Sequence, residues 1–260
     1  MRCSEIIDKL EALSPASYAE DWDNVGLLVG RSKKEVNSVL LALDATDSVI
    51  DQAIYMNADM IITHHPMIFH KISKVINEDF VGRRIIKLIK NDISYYVMHT
   101  NFDVMGMADA VADEFQLRNR EVLDITYEDE ISKEGIGRIG FLPEIMSLKE
   151  CVEYCKKVFG LTQIKVFGDI SQTIERAAIV PGSGKDYIGL SIEKNADVII
   201  TGDIDHHNGI DAVMQGINVI DAGHYGLEKI FIPYIEEVFK REMPKILINK
   251  AKEENPFVIF

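Results

Sequence analysis

Residues 57–63 read Asn-Ala-Asp-Met-Ile-Ile-Thr and residues 195–201 read Asn-Ala-Asp-Val-Ile-Ile-Thr, identical at six of seven positions. Each closes in a short apolar run of the kind a fully buried strand needs. Working outward, each copy follows a helix-like segment, and that in turn follows a strand-like one, VLLALD (39–44) in the first copy and RAAIVP (176–181) in the second. Each is followed by a histidine pair, His64-His65 and His206-His207, then by a helix and another strand, YYVM (95–98) and NVID (218–221). Each of those strands leads to a histidine with an acid four residues on, His99 with Asp103 and His224 with Glu228. Chance supplies a matching heptapeptide more easily than the same order of elements around it. The pattern therefore reads as an internal duplication of a β-α-β-α-β unit, with a period far too long for a solenoid repeat.

The rest of the chain fits that frame. Ser4 to Leu13 reads as an amphipathic helix ended by Pro15, Val36 to Asp44 as a buried strand, and Ser48 to Asn57 as a helix. Val81 to Asn91 has helical periodicity, Ile93 to Met98 is rich in strand formers, and Met107 to Phe115 returns to helix. Glu121 to Leu142 carries two strand-like pieces, and Ser147 to Phe159 is a helix closed by Gly160. Alternating strands and helices predict an α/β protein: two related α/β domains from the duplication, with largely parallel sheets flanked by helices. The first domain is expected over 1–125 plus 226–260 and the second over 126–225.

Composition narrows the function classes. The chain has 260 residues, 47% of them hydrophobic and 27% charged, as in an ordinary globular protein. Asp and Glu number 42 against 28 Lys and Arg, a net charge of −14 that disfavours stable binding to nucleic acid or to an anionic membrane. The start is charged where a signal peptide would be apolar, and no run approaches a membrane span. Cys3, Cys151 and Cys155 are sparse and odd in number, which reads as reduced thiols in a cytoplasmic protein.

Six of the seven histidines fall in the four places just named, and only His70 stands apart, reading as a structural residue. The six follow predicted strands, and the carboxyl ends of parallel strands form the ligand-binding edge of such sheets. In an extended segment His64 and His65 would point to opposite sides, serving two neighbouring ions or one ion and one substrate atom. His224 and Glu228 share a face if a helix starts near His224. Three imidazoles (His64, His65, His224) and two carboxylates (Asp103, Glu228) suit Zn, Fe, Mn, Co or Ni better than Ca or Mg alone. Five ligands exceed the three of one catalytic zinc, so the expected cofactor is a pair of divalent ions. His99, His206 and His207 are left as acid–base candidates or as groups supporting the ligands; for His99 the plainer alternative is that it only orients Asp103.

Two segments invite function and receive plainer readings. The lone tryptophan lies in Trp22-Asp23-Asn24-Val25-Gly26, read as a packed turn rather than a base-stacking platform. Pro181-Gly182-Ser183-Gly184-Lys185 lacks Walker A spacing but could offer backbone N–H groups to a phosphate.

These residues resemble the Nif-three-like proteins, also called the GTP cyclohydrolase I type 2 family. The resemblance runs nearly end to end. It is carried by Trp22-Asp23-Asn24-Val25-Gly26-Leu27, Ile62-Thr63-His64-His65-Pro66, His99-Thr100-Asn101-Phe102-Asp103, Thr201-Gly202-Asp203 with His206-His207, and His224 with Glu228. The chain resembles the short form, without the inserted domain of longer members. The resemblance implies a dinuclear site made by His64, His65, Asp103, His224 and Glu228, with Glu228 bridging the ions. It also implies a toroidal homohexamer and hydrolytic opening of the guanine ring of GTP. The expected partner is a small phosphorylated substrate, a nucleotide. A two-metal phosphoesterase and a non-catalytic metal-binding scaffold or regulatory protein are the alternatives.

Overall fold

The computed structural model describes residues 1–253 and 255–258 and divides into two units, Met1–Phe102 with Phe231–Phe260, and Asp103–Ile230. The sequence reading puts these boundaries at 125/126 and 225/226. In the first unit α1 (Cys3–Leu13) leads to β1 (Gly26–Val29), β2 (Ser38–Ala42), α2 (Asp47–Tyr55), β3 (Met60–Thr63), α3 (Phe80–Lys90), β4 (Ser94–Val97) and the single turn α4 (Thr100–Phe102). The second unit opens with a π-helical turn at Asp103–Met107. It continues through α5 (Ala108–Glu114), β5 (Arg118–Glu128), β6 (Lys133–Ser147), α6 (Leu148–Phe159), β7 (Lys165–Phe167), β8 (Thr173–Ser183) and α7 (Ile188–Glu193). It ends with β9 (Val198–Gly202), α8 (His206–Met214), β10 (Asn218–Asp221) and α9 (His224–Glu228), after which α10 (Phe231–Glu242) and β11 (Leu247–Lys250) complete the first unit.

The first sheet has the order β1-β4-β3-β2-β11, all parallel except the β1–β4 pairing. Every residue of β2, β3 and β4 is buried, as expected of parallel strands covered on both faces. Leu40, Ala42, Ile61, Tyr95 and Val97 pack with Val49, Ile50 and Ala53 of α2 and with Ile85 and Leu88 of α3. Tyr96, on the opposite face from Tyr95, reaches α1, where its hydroxyl donates to Glu11 at 2.9 Å. Thr46 and Asp79 start α2 and α3 by accepting the backbone N–H groups of Val49 and Gly82.

The second sheet has the order β5-β6-β8-β9-β10-β7. Its centre, β8-β9-β10, is parallel, and the β5–β6 hairpin and β7 add antiparallel strands at the two edges. Ser147 and Glu150 form a capping box at the start of α6, and Gly160 ends that helix at φ 61°.

The repeated heptapeptide has a physical explanation in this fold. Asn57 and Asn195 both adopt positive φ, 53° and 58°, a conformation Asn tolerates better than most residues. Asp59 accepts the backbone N–H groups of Asn37 (2.8 Å) and Ser38 (3.1 Å) at the start of the neighbouring strand. Asp197 accepts those of Glu175 and Arg176, both at 2.8 Å. Thr63 and Thr201 then give their carbonyls to Met98 and Ala222, just beyond the next strand. The motif is thus a helix stop, a strand clamp and a buried strand, used once in each unit. That equivalence is compatible with duplication. Among the described residues no helix is long and apolar enough to cross a membrane.

Candidate metal centre

In the first unit three imidazoles converge. The ring centroids of His64 and His65 lie 4.9 Å apart, those of His64 and His99 5.2 Å, and those of His65 and His99 5.6 Å. Each offers a nitrogen within 4.8 Å of the others, a spacing at which the three could share an ion. His64 and His65 do not diverge as adjacent strand residues would, because β3 ends at Thr63 and the chain bends there. The Thr63 hydroxyl donates to the His65 carbonyl at 2.8 Å, and the buried Tyr95 hydroxyl donates to the same carbonyl at 3.0 Å. Tyr95 also accepts the Met67 N–H at 3.0 Å. The segment carrying the pair is therefore fixed by the strand beside it. His64 is fully buried, with Phe231 5.5 Å and Phe102 6.4 Å from its ring.

The second unit holds an imidazole–carboxylate pair. In α9, His224 Nε2 stands 2.9 Å from Glu228 Oε2, the contact expected of residues one helical turn apart. Glu228 is nearly fully buried. Its position depends on Gly182, whose φ is +74° and where a Cβ would stand 2.5 Å from Glu228 Oε1. Gly184 is similarly tight against the Thr201 hydroxyl. Gly182, near the end of β8, and Gly184 just beyond it thus make room for the carboxylate and for Thr201, which disfavours a phosphate against Gly182. Asp103 opens the π-helical turn, a local widening often found at functional sites.

One electrostatic pattern runs through both clusters. His64 Nδ1 lies 2.8 Å from the Met98 carbonyl, and His65 Nδ1 lies 3.0 Å from the Asp44 carboxylate. His99 Nδ1 lies 2.9 Å from Asp23, and His224 Nδ1 lies 2.8 Å from Asp203. All four acceptors lack a proton to give, so each Nδ1 donates, and in the neutral rings the lone pair is on Nε2. This is the arrangement that orients metal-binding histidines and raises their basicity. At 2.9 Å, His224 Nε2 and Glu228 Oε2 are close enough for both to reach one ion. With Nδ1 turned to Asp203, it is Nε2 that His224 presents beside the Glu228 carboxylate. The donor chemistry fits a divalent transition metal.

Asp23 shows how firmly His99 is held. Burial opposes its charge, yet hydrogen bonds from His99 and from the Thr100 hydroxyl and backbone N–H bring its pKa down to about 2. His99 Nδ1 therefore pairs with Asp23, a partner that neither reading of His99 from the sequence names.

The other candidates lie differently. His206 and His207 begin α8 behind the N-cap Asp205, and both are exposed. His70 is exposed as well, its ring 5.4 Å from Phe69, so it is not the packed structural residue expected. Trp22 is 57% exposed; its segment is a turn, but the indole is not packed into it.

A family model for Duf34/NIF3 (NGG1p interacting factor 3) matches residues 1–256. The chain belongs to the Duf34/NIF3 family. A GTP cyclohydrolase 1 type 2 homolog from Clostridium perfringens is 36% identical over 99% of this chain and 100% of its own length. Another from Clostridium acetobutylicum is 36% identical over 96% and 93%. Among solved structures, a Bacillus cereus protein related to NIF3 superposes with a TM-score of 0.90 at 25% identity, covering 100% of this chain and 99% of that one. Reduced HcgD from Methanocaldococcus jannaschii gives 0.84 at 30% identity over 97% and 98%.

In this Duf34/NIF3 chain the sequence reading assigned no role to Asp23, Asp44 or Asp203. Two of them lie in motifs that were visible, Trp22-Asp23-Asn24 and Thr201-Gly202-Asp203, and Asp44 ends the first buried strand. Their partners are 76, 21 and 21 residues away, so no local spacing pairs each acid with its histidine.

Proposed function

We propose that His64, His65, Asp103, His224 and Glu228 hold two divalent transition-metal ions, and that the protein is a hydrolase acting on a nucleotide by opening the guanine ring of GTP. The observation that carries this reading is the fixing of four histidines at Nδ1, so that Nε2 is the nitrogen each ring would present to an ion. The names of the Clostridium relatives support the substrate class. Divalent ions at these residues would supply Lewis acidity and lower the pKa of water to near neutrality.

The chain's own groups would then move the protons. The water oxygen bonds to C8 of the guanine ring, the C8–N9 bond opens, and a formylamino-pyrimidine results. His99 is the acid–base candidate that touches the His64–His65 pair. With Nδ1 donating to Asp23, its Nε2 can take one proton from the water and return it to the departing N9, while the water's other proton passes to N7 as the formyl C=O forms. The family resemblance supports a homohexamer in the cytoplasm as the working form.

Metal analysis of the purified protein, followed by GTP turnover read for both ring absorbance and phosphate, tests the reading. Loss of the guanine spectrum without phosphate release is expected. Phosphate release with an intact ring would make the protein a phosphoesterase on the same residues. No transition metal taken up on addition would remove the basis of the proposal.

A further inference from the structure

Beside the histidine cluster of the first unit stand two aromatic rings that the fold leaves in solvent. Trp22 is 57% exposed and Phe69 48% exposed. Their centroids are 5.6 Å apart at an interplanar angle of 41°. Both reach the same imidazole: Trp22 lies 6.0 Å from His99 and Phe69 lies 6.4 Å from it. His99 in turn contacts His64 and His65. An unbroken run of rings therefore leads from solvent to the imidazole pair.

The rings are exposed but held. Asp23, next to Trp22, accepts from His99 and Thr100 and gives its own N–H to Glu20 at 2.9 Å. Asn24 donates to the Ile68 carbonyl at 2.6 Å, tying the Trp22 segment directly to the segment that carries Phe69. Leaving a large indole in water forfeits the burial that usually retains a tryptophan. A hydrophobic core would have taken the ring in, and a mobile tip would not be braced on both sides. The arrangement is that of a preformed stacking surface.

We infer that Trp22 and Phe69 form a stacking platform for a planar nitrogen heterocycle, a purine in the first instance, presented edge-on to His99 and the His64–His65 pair. The inference rests on the hydrolase reading for the choice of purine, while the platform rests on ring geometry alone. Because Trp22 and Phe69 already touch, the base lies on their outer faces rather than between them. Aromatic faces hold any base, so the platform gives affinity for the ring and leaves discrimination among bases to polar groups.

Trp22 is the only tryptophan in the sequence, so its fluorescence reports this one place. Chelator-stripped protein is titrated with guanosine and, separately, with ribose 5-phosphate. Guanosine is expected to quench the emission saturably and ribose 5-phosphate to leave it unchanged. By calorimetry, Trp22→Leu is expected to weaken guanosine binding about 5- to 150-fold, the range of one lost base–aromatic stack. Phe69→Leu should weaken it as well, and Trp22→Phe should restore most of the loss. Equal quenching by the two ligands, no quenching by guanosine, or wild-type affinity in Trp22→Leu would each overturn the platform. Guanosine binding in a protein that never turns over GTP would keep the platform and remove the hydrolase; GTP turnover with unchanged KM in Trp22→Leu would do the reverse.

Discussion

The carboxylate of Glu253 accepts the backbone N–H of Asp44 at 3.0 Å, across 209 residues of sequence. Its other oxygen accepts the Leu43 N–H at 2.6 Å. Leu43 gives its carbonyl to the His65 N–H at 2.9 Å, and Asp44 gives its carboxylate to His65 Nδ1. The C-terminal segment thus clamps the backbone that carries the orienting partner of a proposed metal ligand. Ala251 and Lys252 extend the clamp, through the Leu41 carbonyl at 2.9 Å and the Gln52 side chain at 2.8 Å.

Loosening that chain of contacts should weaken metal binding before it unfolds the protein. Asp44→Asn replaces an acceptor that only accepts with an amide that can turn its donor toward His65. A loss of about 10–100-fold in metal affinity is expected. Glu253→Gln keeps one acceptor and sets an NH2 against a backbone N–H, costing about 1–3 kcal/mol of stability and part of that affinity. Competition with a chromogenic chelator reads the first, and urea unfolding of the metal-free protein reads the second. Unchanged chelator competition in Asp44→Asn would refute the orienting role.

Asp23 should give stability a defined acid limb. Its folded pKa of about 2 is below the unfolded carboxylate value, so its contribution is complete above that value and is lost as pH falls through the folded one. The side chain is fully buried, and the shift corresponds to about 2 kcal/mol. In metal-free protein the stability gap between wild type and Asp23→Asn should stay constant from neutral pH down to about 5 and narrow between about 4 and 2. A gap independent of pH over that interval would assign it to packing alone.

Gly182→Ala should displace Glu228. The added Cβ meets Oε1 at 2.5 Å, and the positive φ strains any side chain there. A destabilisation of about 1–3 kcal/mol is expected, together with loss of metal at the second-unit cluster. Thermal unfolding and metal analysis of the same sample check both. Full metal content in a folded Gly182→Ala protein would show that Glu228 has room to move.

The three thiols should be silent in the native protein. Cys3, Cys151 and Cys155 are fully buried, and burial pushes Cys151 up to about 12 and Cys155 higher still. Ellman's reagent should find none in native protein and all three after denaturation. Rapid native labelling of any one would place it at a surface the fold does not show.

Much of the α/β fold was legible in the chain because its evidence is local. The apolar runs of β2 and β3, the helical period of α3 and the capping box of α6 each lie within a few consecutive residues. The spacing of His224 and Glu228 was legible for the same reason, since one helical turn fixes it. The bend after Thr63 was not. It depends on Tyr95, a residue of a different strand, and it turns two adjacent histidines toward a common point.

The sequence by itself determined which residue types gather after which strands, because period and propensity act between neighbours in the chain. Only the tertiary structure decided which ring nitrogen His64, His65, His99 and His224 present, since each orienting acceptor, a carbonyl for His64 and a carboxylate for the others, lies at least 21 residues away in the chain. It also decided that the one tryptophan, the natural candidate for a packed turn, stands in solvent beside His99. The Asp23 and Asn24 hydrogen bonds that brace the turn reach Thr100 and Ile68, while the indole stays 57% exposed.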